Sequence, residues 1–337
     1  MTISKNFIIS SQSIYQTKFW YHVALKLNKQ NNNTLIVCFD FESEKFLSKK
    51  RNIKYISIKS KNKLKNSKVI KILNKYKIKN LKKLLLHEKI YFGDRNYKKI
   101  KLKFCNYLSE IDSKISNINK KKSVLIQELG GFSSTLSLFY FAKKNKINNY
   151  FIEPSFFSGR FHINANTFLC EPEINKNVNY NKFLKELKKI RNKKRILIPK
   201  KDFEQFQSPF KKIFNRKNQK RFLEKFFKVY FLRKSFEFDE VNRYAFSHLK
   251  NLLNYFILSF FYKKNLENEK FYYFPLHVPN DVALSIRAPK YLDQIKLISK
   301  ISKKINNDKI LFIKEHPAKI GATNILKLIK ILKKKKY

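Results

Sequence analysis

Three polar groups at the end of one apolar run carry the densest chemistry in this chain. Ile310 to Ile313 reads as a short buried strand that stops at Lys314, Glu315 and His316 and is closed by Pro317. A residue before proline is pushed out of the α region, so the His316 ring is presented in a narrow set of directions. Ligands of open α/β sheets bind at the carboxyl ends of strands, and there an ammonium and an imidazole suit a phosphate or diphosphate. Both donate hydrogen bonds, and histidine also passes a proton near neutral pH. Two further strand ends carry carboxylates. Val124 to Ile126 leads through Gln127 to Glu128, and Tyr150 to Ile152 leads to Glu153, with Arg160 a few residues on. Consecutive strands thus deliver two carboxylates to one edge of a sheet, a placement suited to taking a hydroxyl proton, while Arg160 suits an anionic group. Blander readings stay open: a charged strand-to-helix loop with no ligand at Lys314–His316, and a helix cap or salt-bridge partner at each Glu.

The elements that must position these groups alternate. Asn6 to Ser10 reads as a first strand, with SSQSIYQTK as a polar loop and Phe19 to Leu27 as a helix whose stripe is Phe19, Val23 and Leu27. Thr34 to Phe39, ending at Asp40, and Tyr55 to Ile58 follow as strands. Such alternation predicts parallel βαβ units. No GxGxxG occupies the first turn, so a dinucleotide fingerprint is absent. Gly130 and Gly131 are adjacent in a chain with 5 glycines, which implies a tight turn or a close backbone approach. After them Phe132 to Lys144 is a helix opened by Ser133 and Ser134, residue types that cap well. Near the other end, Phe271 to Phe274 is a strand broken by Pro275, a helix spans about Lys290 to Ile305, and the two flanking strands make one β-loop-α-β unit. Between these regions, Lys59 to Lys122 reads as amphipathic helices with Val69, Ile72, Leu73, Leu81, Leu84 and Leu85 inward. Tyr91 to Arg95 reads as a turn without chemistry.

A length of 337 residues fits about two domains. The boundaries expected are 1–173 for an N-terminal Rossmann-like domain, 174–269 for a helical connecting region and 270–337 for the opening part of a second such domain. The formal charge of +51 points by itself to nucleic acid or an anionic membrane. Yet the excess is spread along the whole chain with abundant Asn, Ile and Phe, as AT-rich codon usage produces, so much of it reads as solvated helix face. Cys38, Cys105 and Cys170 share no metal spacing and fit a reduced compartment. The first residues lack a secretory pattern. No run approaches the roughly 20 apolar residues of a membrane span. The longest, Leu252 to Tyr262, reads as a buried helix. Phe210 to Lys234 sets seven aromatic residues among ten Lys and Arg, which reads either as a basic amphipathic helix for an anionic bilayer or as an aromatic core stripe.

The segment from Phe271 to Gly321 resembles the capsule polysaccharide biosynthesis family, which includes the Kdo transferases. The resemblance rests on FPLHVPND at Phe274 to Asp281, the Ser285 to Pro289 turn, the Tyr291 to Gln294 helix start and KEHP at Lys314 to Pro317, and more loosely on ELGG and FIEPSFFSGR. It implies a GT-B-like α/β protein, C-terminally truncated or completed by another chain, since one helix, Asn324 to Lys333, follows Gly321. It implies transfer of a sugar from a nucleotide-activated donor to a growing capsule or lipopolysaccharide glycan. His316, Lys314 and Arg160 would hold the donor phosphates. Glu128 or Glu153, with His316, would be catalytic, the carboxylate serving as base or steadying an oxocarbenium-like centre. No cofactor beyond the nucleotide-sugar substrate is expected, and no metal, because no Asp-x-Asp cluster is present. The expected partners are a nucleotide sugar, a glycan or glycolipid acceptor and the inner-membrane surface, with the protein cytoplasmic or peripheral at that membrane's inner face. Nucleic acid is not expected. The rival readings are a basic nucleic-acid-binding protein and a catalytically inactive scaffold.

Overall fold

A computed structural model describes residues 4–60, 64–92, 97–115, 118–155, 159–169, 179–192, 206–262, 270–278, 280–305 and 309–334. Cys170, Pro279, residues 93–95 of the YFGDR stretch and residues 156–158 of SFFSGR lie outside them. The chain divides into two compact units, one of Met1–Lys89, Gly93–Ile198 and Ser235–Glu237, the other of Ile90–Phe92, Pro199–Lys234 and Phe238–Tyr337.

The first unit is mixed α/β. In order it holds β1 (Asn6–Ser11), α1 (Ile14–Lys29), β2 (Asn33–Cys38), α2 (Phe41–Leu47), β3 (Lys54–Ser57), α3 (Asn66–Lys75), α4 (Leu81–Leu84), α5 (Leu86–Phe92, ending beyond the unit), α6 (Tyr97–Lys114), β4 (Ser123–Glu128), α7 (Ser133–Lys144), β5 (Asn148–Pro154), β6 (Phe161–Ala165) and α8 (Tyr180–Asn192). The sheet order is β3-β2-β1-β4-β5-β6, parallel except for the last pair. Parallel strands need both faces covered, and the central strands comply, with Ile8, Ile9, Ile36 and Val37 essentially without solvent contact. Trp20 and Ala24 of α1 pack on Ile9, Ile36 and Cys38. Phe139 of α7 lies 5.9 Å from Phe151 of β5. This arrangement is compatible with a Rossmann-like half.

Several expectations need correction. Helix α1 starts within the supposed polar loop, because Ser13 caps it by accepting from the Gln16 amide. Its buried face is Thr17, Trp20 and Ala24, and Phe19 is 59% exposed. The polar Thr17 escapes an apolar count, yet its hydroxyl is satisfied beside Ser11, 2.5 Å away, and Ser43, 2.6 Å away. Ser133 and Ser134 do not cap α7 with their side chains. Phe132 holds the cap position, and the helix amides are taken by carboxylates from distant chain. Strand β6, antiparallel at the sheet edge, has no counterpart in the apolar pattern of the sequence. Of the stripe expected on α3 and α4, Val69, Ile72, Leu81 and Leu85 are buried, while Leu73 and Leu84 are half-buried.

The second unit holds α9 (Pro209–Ile213), α10 (Arg216–Tyr230), α11 (Val241–Ser259), β7 (Phe271–Pro275), α12 (Gln294–Ser302), β8 (Ile310–Lys314) and α13 (Ile325–Lys334). Strands β7 and β8 pair in parallel, Phe274 opposite Ile313 and Pro275 opposite Lys314, with α12 as the crossover. Helix α12 is shorter than expected. Asp293 caps it at the Lys296 amide, and Pro289–Tyr291 forms a separate short turn. The core is Leu258, Leu276, Ile295, Ile298 and Leu328. The Leu252–Tyr262 run is therefore buried along one face alone, contrary to expectation, and α10 has no buried residue.

Candidate functional site

In the first unit the chain runs outward from β1 through β2 to β3, then returns to β4 on the other side of β1. The gap between β1 and β4 is thus a topological switch point, the place where open α/β sheets bind ligands. The turns beyond these two strands are tied together: the Gln12 side chain donates to the Thr135 hydroxyl, and Gln16 Nε2 donates to Glu128 Oε2 at 2.9 Å. Gly130 permits that approach, since a Cβ there would meet Thr135 Oγ1 at 3.0 Å. Gly131 is required by a protein contact instead, for its Cβ would lie 2.4 Å from Cγ of the buried His87.

The N-terminus of α7, which would otherwise attract an anionic ligand, is already filled. Glu88 Oε2 accepts from the Ser133 amide at 2.8 Å and Glu237 Oε1 from the Ser134 amide at 3.1 Å. Between the two acids lies Lys103, its Nζ 2.6 Å from Glu88 and 3.4 Å from Glu237. Tyr107 donates to Glu237 at 2.8 Å. Burial, with Glu88 adding repulsion against the pull of Lys103, Ser134 and Tyr107, raises the proton affinity of Glu237.

The two candidate carboxylates share the carboxyl edge of the sheet but not a face. Glu128 pairs with Ile152 across the parallel ladder, so Glu153, one position on, points to the opposite side. Glu128 lies on the α1 side at the switch point. Glu153 lies on the Phe151 side, accepting from Asn164 Nδ2 at 2.5 Å. Arg160 is an exposed ion-pair partner of Glu186 at 2.8 Å. The structure therefore places Glu128 and Glu153 on opposite faces of the sheet.

In the second unit, the carboxyl ends of β7 and β8 face one side, as parallel pairing demands. Gln294 fixes the loop after β7, its Oε1 accepting from the His277 amide at 2.7 Å and its Nε2 donating to the His277 carbonyl at 3.0 Å. After β8, Lys314 is exposed. Glu315 turns back as an anchor, accepting from the Gly321 amide at 3.1 Å, the Thr323 hydroxyl at 2.9 Å and the Tyr262 hydroxyl at 2.6 Å. His316 is half-buried, and its Nδ1 accepts from the Ala318 amide at 3.2 Å, so in the neutral ring Nε2 carries the proton. Burial, followed by Asp281, His277 and Lys212, shapes its titration, and the net effect is a lowered proton affinity.

Two cations that the sequence pattern does not single out complete this cluster. Lys212 donates to the Ala318 carbonyl at 2.8 Å, and burial together with Lys319 pushes its ammonium down to about 8. Burial likewise lowers Lys319. In the sequence Lys212 is one charge of a basic stripe. The clue to its role is its place three residues after Pro209, the first residue of a short helix that Ser208 caps. His248, beneath this group, is pushed down to about 4 by burial and then by Lys319 and Lys212. The unfolded chain protonates His248 below its ordinary 6.5 while the folded unit resists until about 4. Stability therefore falls as pH drops through that window, by roughly 2–3 kcal/mol. Urea unfolding of wild type and His248→Gln, at neutral pH and near pH 4, should show that the variant has lost this part of the acid sensitivity.

Burial pushes the Cys38 thiol up to about 12 and the Cys105 thiol up to about 11, so neither serves as a nucleophile at neutral pH. Among the described residues no group of three or more His, Cys, Asp and Glu side chains is placed to hold a metal ion, and no helix is long and apolar enough to cross a membrane. No family model, curated protein or solved structure matches this chain.

Proposed function

We propose that this chain is a glycosyltransferase-like protein of GT-B type, working in the cytoplasm on capsule or other surface polysaccharide, with an anionic nucleotide-sugar donor bound at the carboxyl ends of β7 and β8. The observation that carries the proposal is the cluster of Lys212, His316 and Lys319: three basic groups, partly desolvated, each with its proton affinity lowered. Crowded cations of that kind are stabilised by an anion, and a diphosphate would restore the ordinary ionisation of each. The Nε2–H of the neutral His316 ring can donate a hydrogen bond to a phosphate oxygen and so steady the charge on a leaving phosphate.

On the acceptor side the reading favours Glu128 over Glu153. Glu128 stands at the switch point with Gln12 and Gln16 around it, whereas Glu153 is held against the edge hairpin. The filled N-terminus of α7 fits the same division, since it leaves no phosphate site there and assigns phosphate to the second unit. Lys314, exposed at the end of β8, then contributes through its charge.

Thermal unfolding in the presence of a panel of nucleoside mono- and diphosphates tests this. At a hundredfold excess over Kd one of them should stabilise the protein by about 2.7 kcal/mol. His316→Ala and Lys212→Met should each weaken that ligand about tenfold or more, the expected loss of a charge-assisted hydrogen bond. If no nucleotide protects the wild type, or if both variants are protected equally well, the donor site is not here.

A further inference from the structure

Helix α11 buries Val241, Asn251, Asn254 and Leu258, and Asn254 Nδ2 holds the chain that follows β8, donating to the Gly321 carbonyl at 2.8 Å. Its outward face is apolar. Phe246, Leu249, Leu253, Phe256 and Phe260 recur at alternating intervals of three and four, Ile257 widens the stripe, and all six are exposed, Leu253 by 64% and Phe260 by 87%. That spacing keeps them on one side of a helix. Contiguous apolar surface of this extent on a protein otherwise so charged marks a contact surface.

We propose that the outward face of α11 docks on an anionic lipid bilayer, lying in the plane of its interface. The surroundings choose this occupant. Arg243 and Lys250 sit on α11 itself, and α10, which packs against it, carries six Lys and Arg against one Glu and shows a second apolar stripe in Leu223, Phe227, Tyr230 and Phe231. Apolar and aromatic residues beside many cations are what an interfacial helix presents to acidic headgroups. A second copy of the chain would bring the same +51 charge to the contact, and three bulky Phe fit a helix-pair seam poorly. Nucleic acid would meet the lysines but has no use for Leu249, Leu253 and Ile257. No described helix is able to span the bilayer, so the helix lies on it. The inference stands apart from the donor site, since His316 takes no part in it.

A chain of this charge will adhere weakly to any acidic vesicle, so the decisive variant leaves charge alone. Sedimentation with vesicles of phosphatidylglycerol and phosphatidylcholine should capture the wild type, and phosphatidylcholine alone should not. Leu253→Ser with Phe256→Ser, at exposed positions that leave the fold intact by circular dichroism, should weaken capture at least tenfold, from the loss of two inserted side chains. Leu253→Trp should shift its emission to the blue on adding the acidic vesicles. Capture of the double variant equal to wild type, or a Trp that stays in water, overturns the proposal. So does a self-association in solution that the double variant abolishes while vesicle capture is unchanged.

Discussion

Lys103→Met should destabilise the first unit by about 3–5 kcal/mol, the usual consequence of removing one member of a buried ionic group. The side chains of Glu88 and Glu237 have no solvent exposure, and that of Lys103 has 7%. Without the ammonium, two carboxylates would face each other in the interior, and one must take up a proton. The acids cannot simply turn away, because both are bound to the first amides of α7. Nor can the chain around Glu237 swing out without losing two further ties that survive the substitution. Tyr107 holds its carboxylate, and the neighbouring Ser235 carbonyl accepts from the Phe41 amide at 2.9 Å. The pH dependence adds a signature. A carboxylate whose folded proton affinity is raised contributes stability that is present at acid pH and lost as pH rises through its folded value. The loss in Lys103→Met, measured by denaturant titration, should therefore be smaller near the ordinary Glu value than at neutral pH. A matched Lys103→Met, Glu88→Gln, Glu237→Gln triple variant should recover much of it. An exposed pair would cost under about 1 kcal/mol when broken, and a change that small would show that the three groups are not a buried unit.

The parallel sheet was legible because its strands are short apolar runs with polar residues at their ends, a pattern set by burial on both faces. The same runs put Glu128, Glu153 and His316 at strand ends. Which face each carboxylate takes was not legible, because it depends on the register of β4 against β5, and a shift of one residue reverses it. Long-range partners were equally hidden. Glu237 reads as a surface acid in SFEFDE, and its burial follows from Lys103 and Tyr107, the latter 130 residues away. Thr17 is lost to a count that scores apolar residues alone. The α11 run reads as core on composition, although its periodicity separates a buried face that holds Asn251 and Asn254 from an exposed stripe of Phe246, Leu249, Leu253 and Phe256.

The glycine that ends the KEHPAKIG stretch should be as intolerant as the buried lysine. Gly321 has φ +76°, and a Cβ added there would lie 2.1 Å from the Asn251 carbonyl oxygen and 3.2 Å from the Tyr255 amide nitrogen. Those atoms are the backbone of α11, which cannot move aside as a side chain would. Gly321→Ala therefore combines the left-handed penalty of about 1–2 kcal/mol with overpacking of about 1–3 kcal/mol, and the second unit should lose about 3 kcal/mol or more. The same position is where three tethers meet: its amide serves Glu315, its carbonyl serves Asn254, and Glu315 also holds Thr323. Pushing it off α11 must drag on the short turn that carries His316 and the Ala318 carbonyl beneath Lys212. Gly321→Ala should thus lower both the unfolding midpoint and nucleotide protection, while His316→Ala lowers protection with little effect on the midpoint. If Gly321→Ala unfolds like wild type, the loop does not rest on the helix, and the cluster at the end of β8 has lost the support that makes it a site.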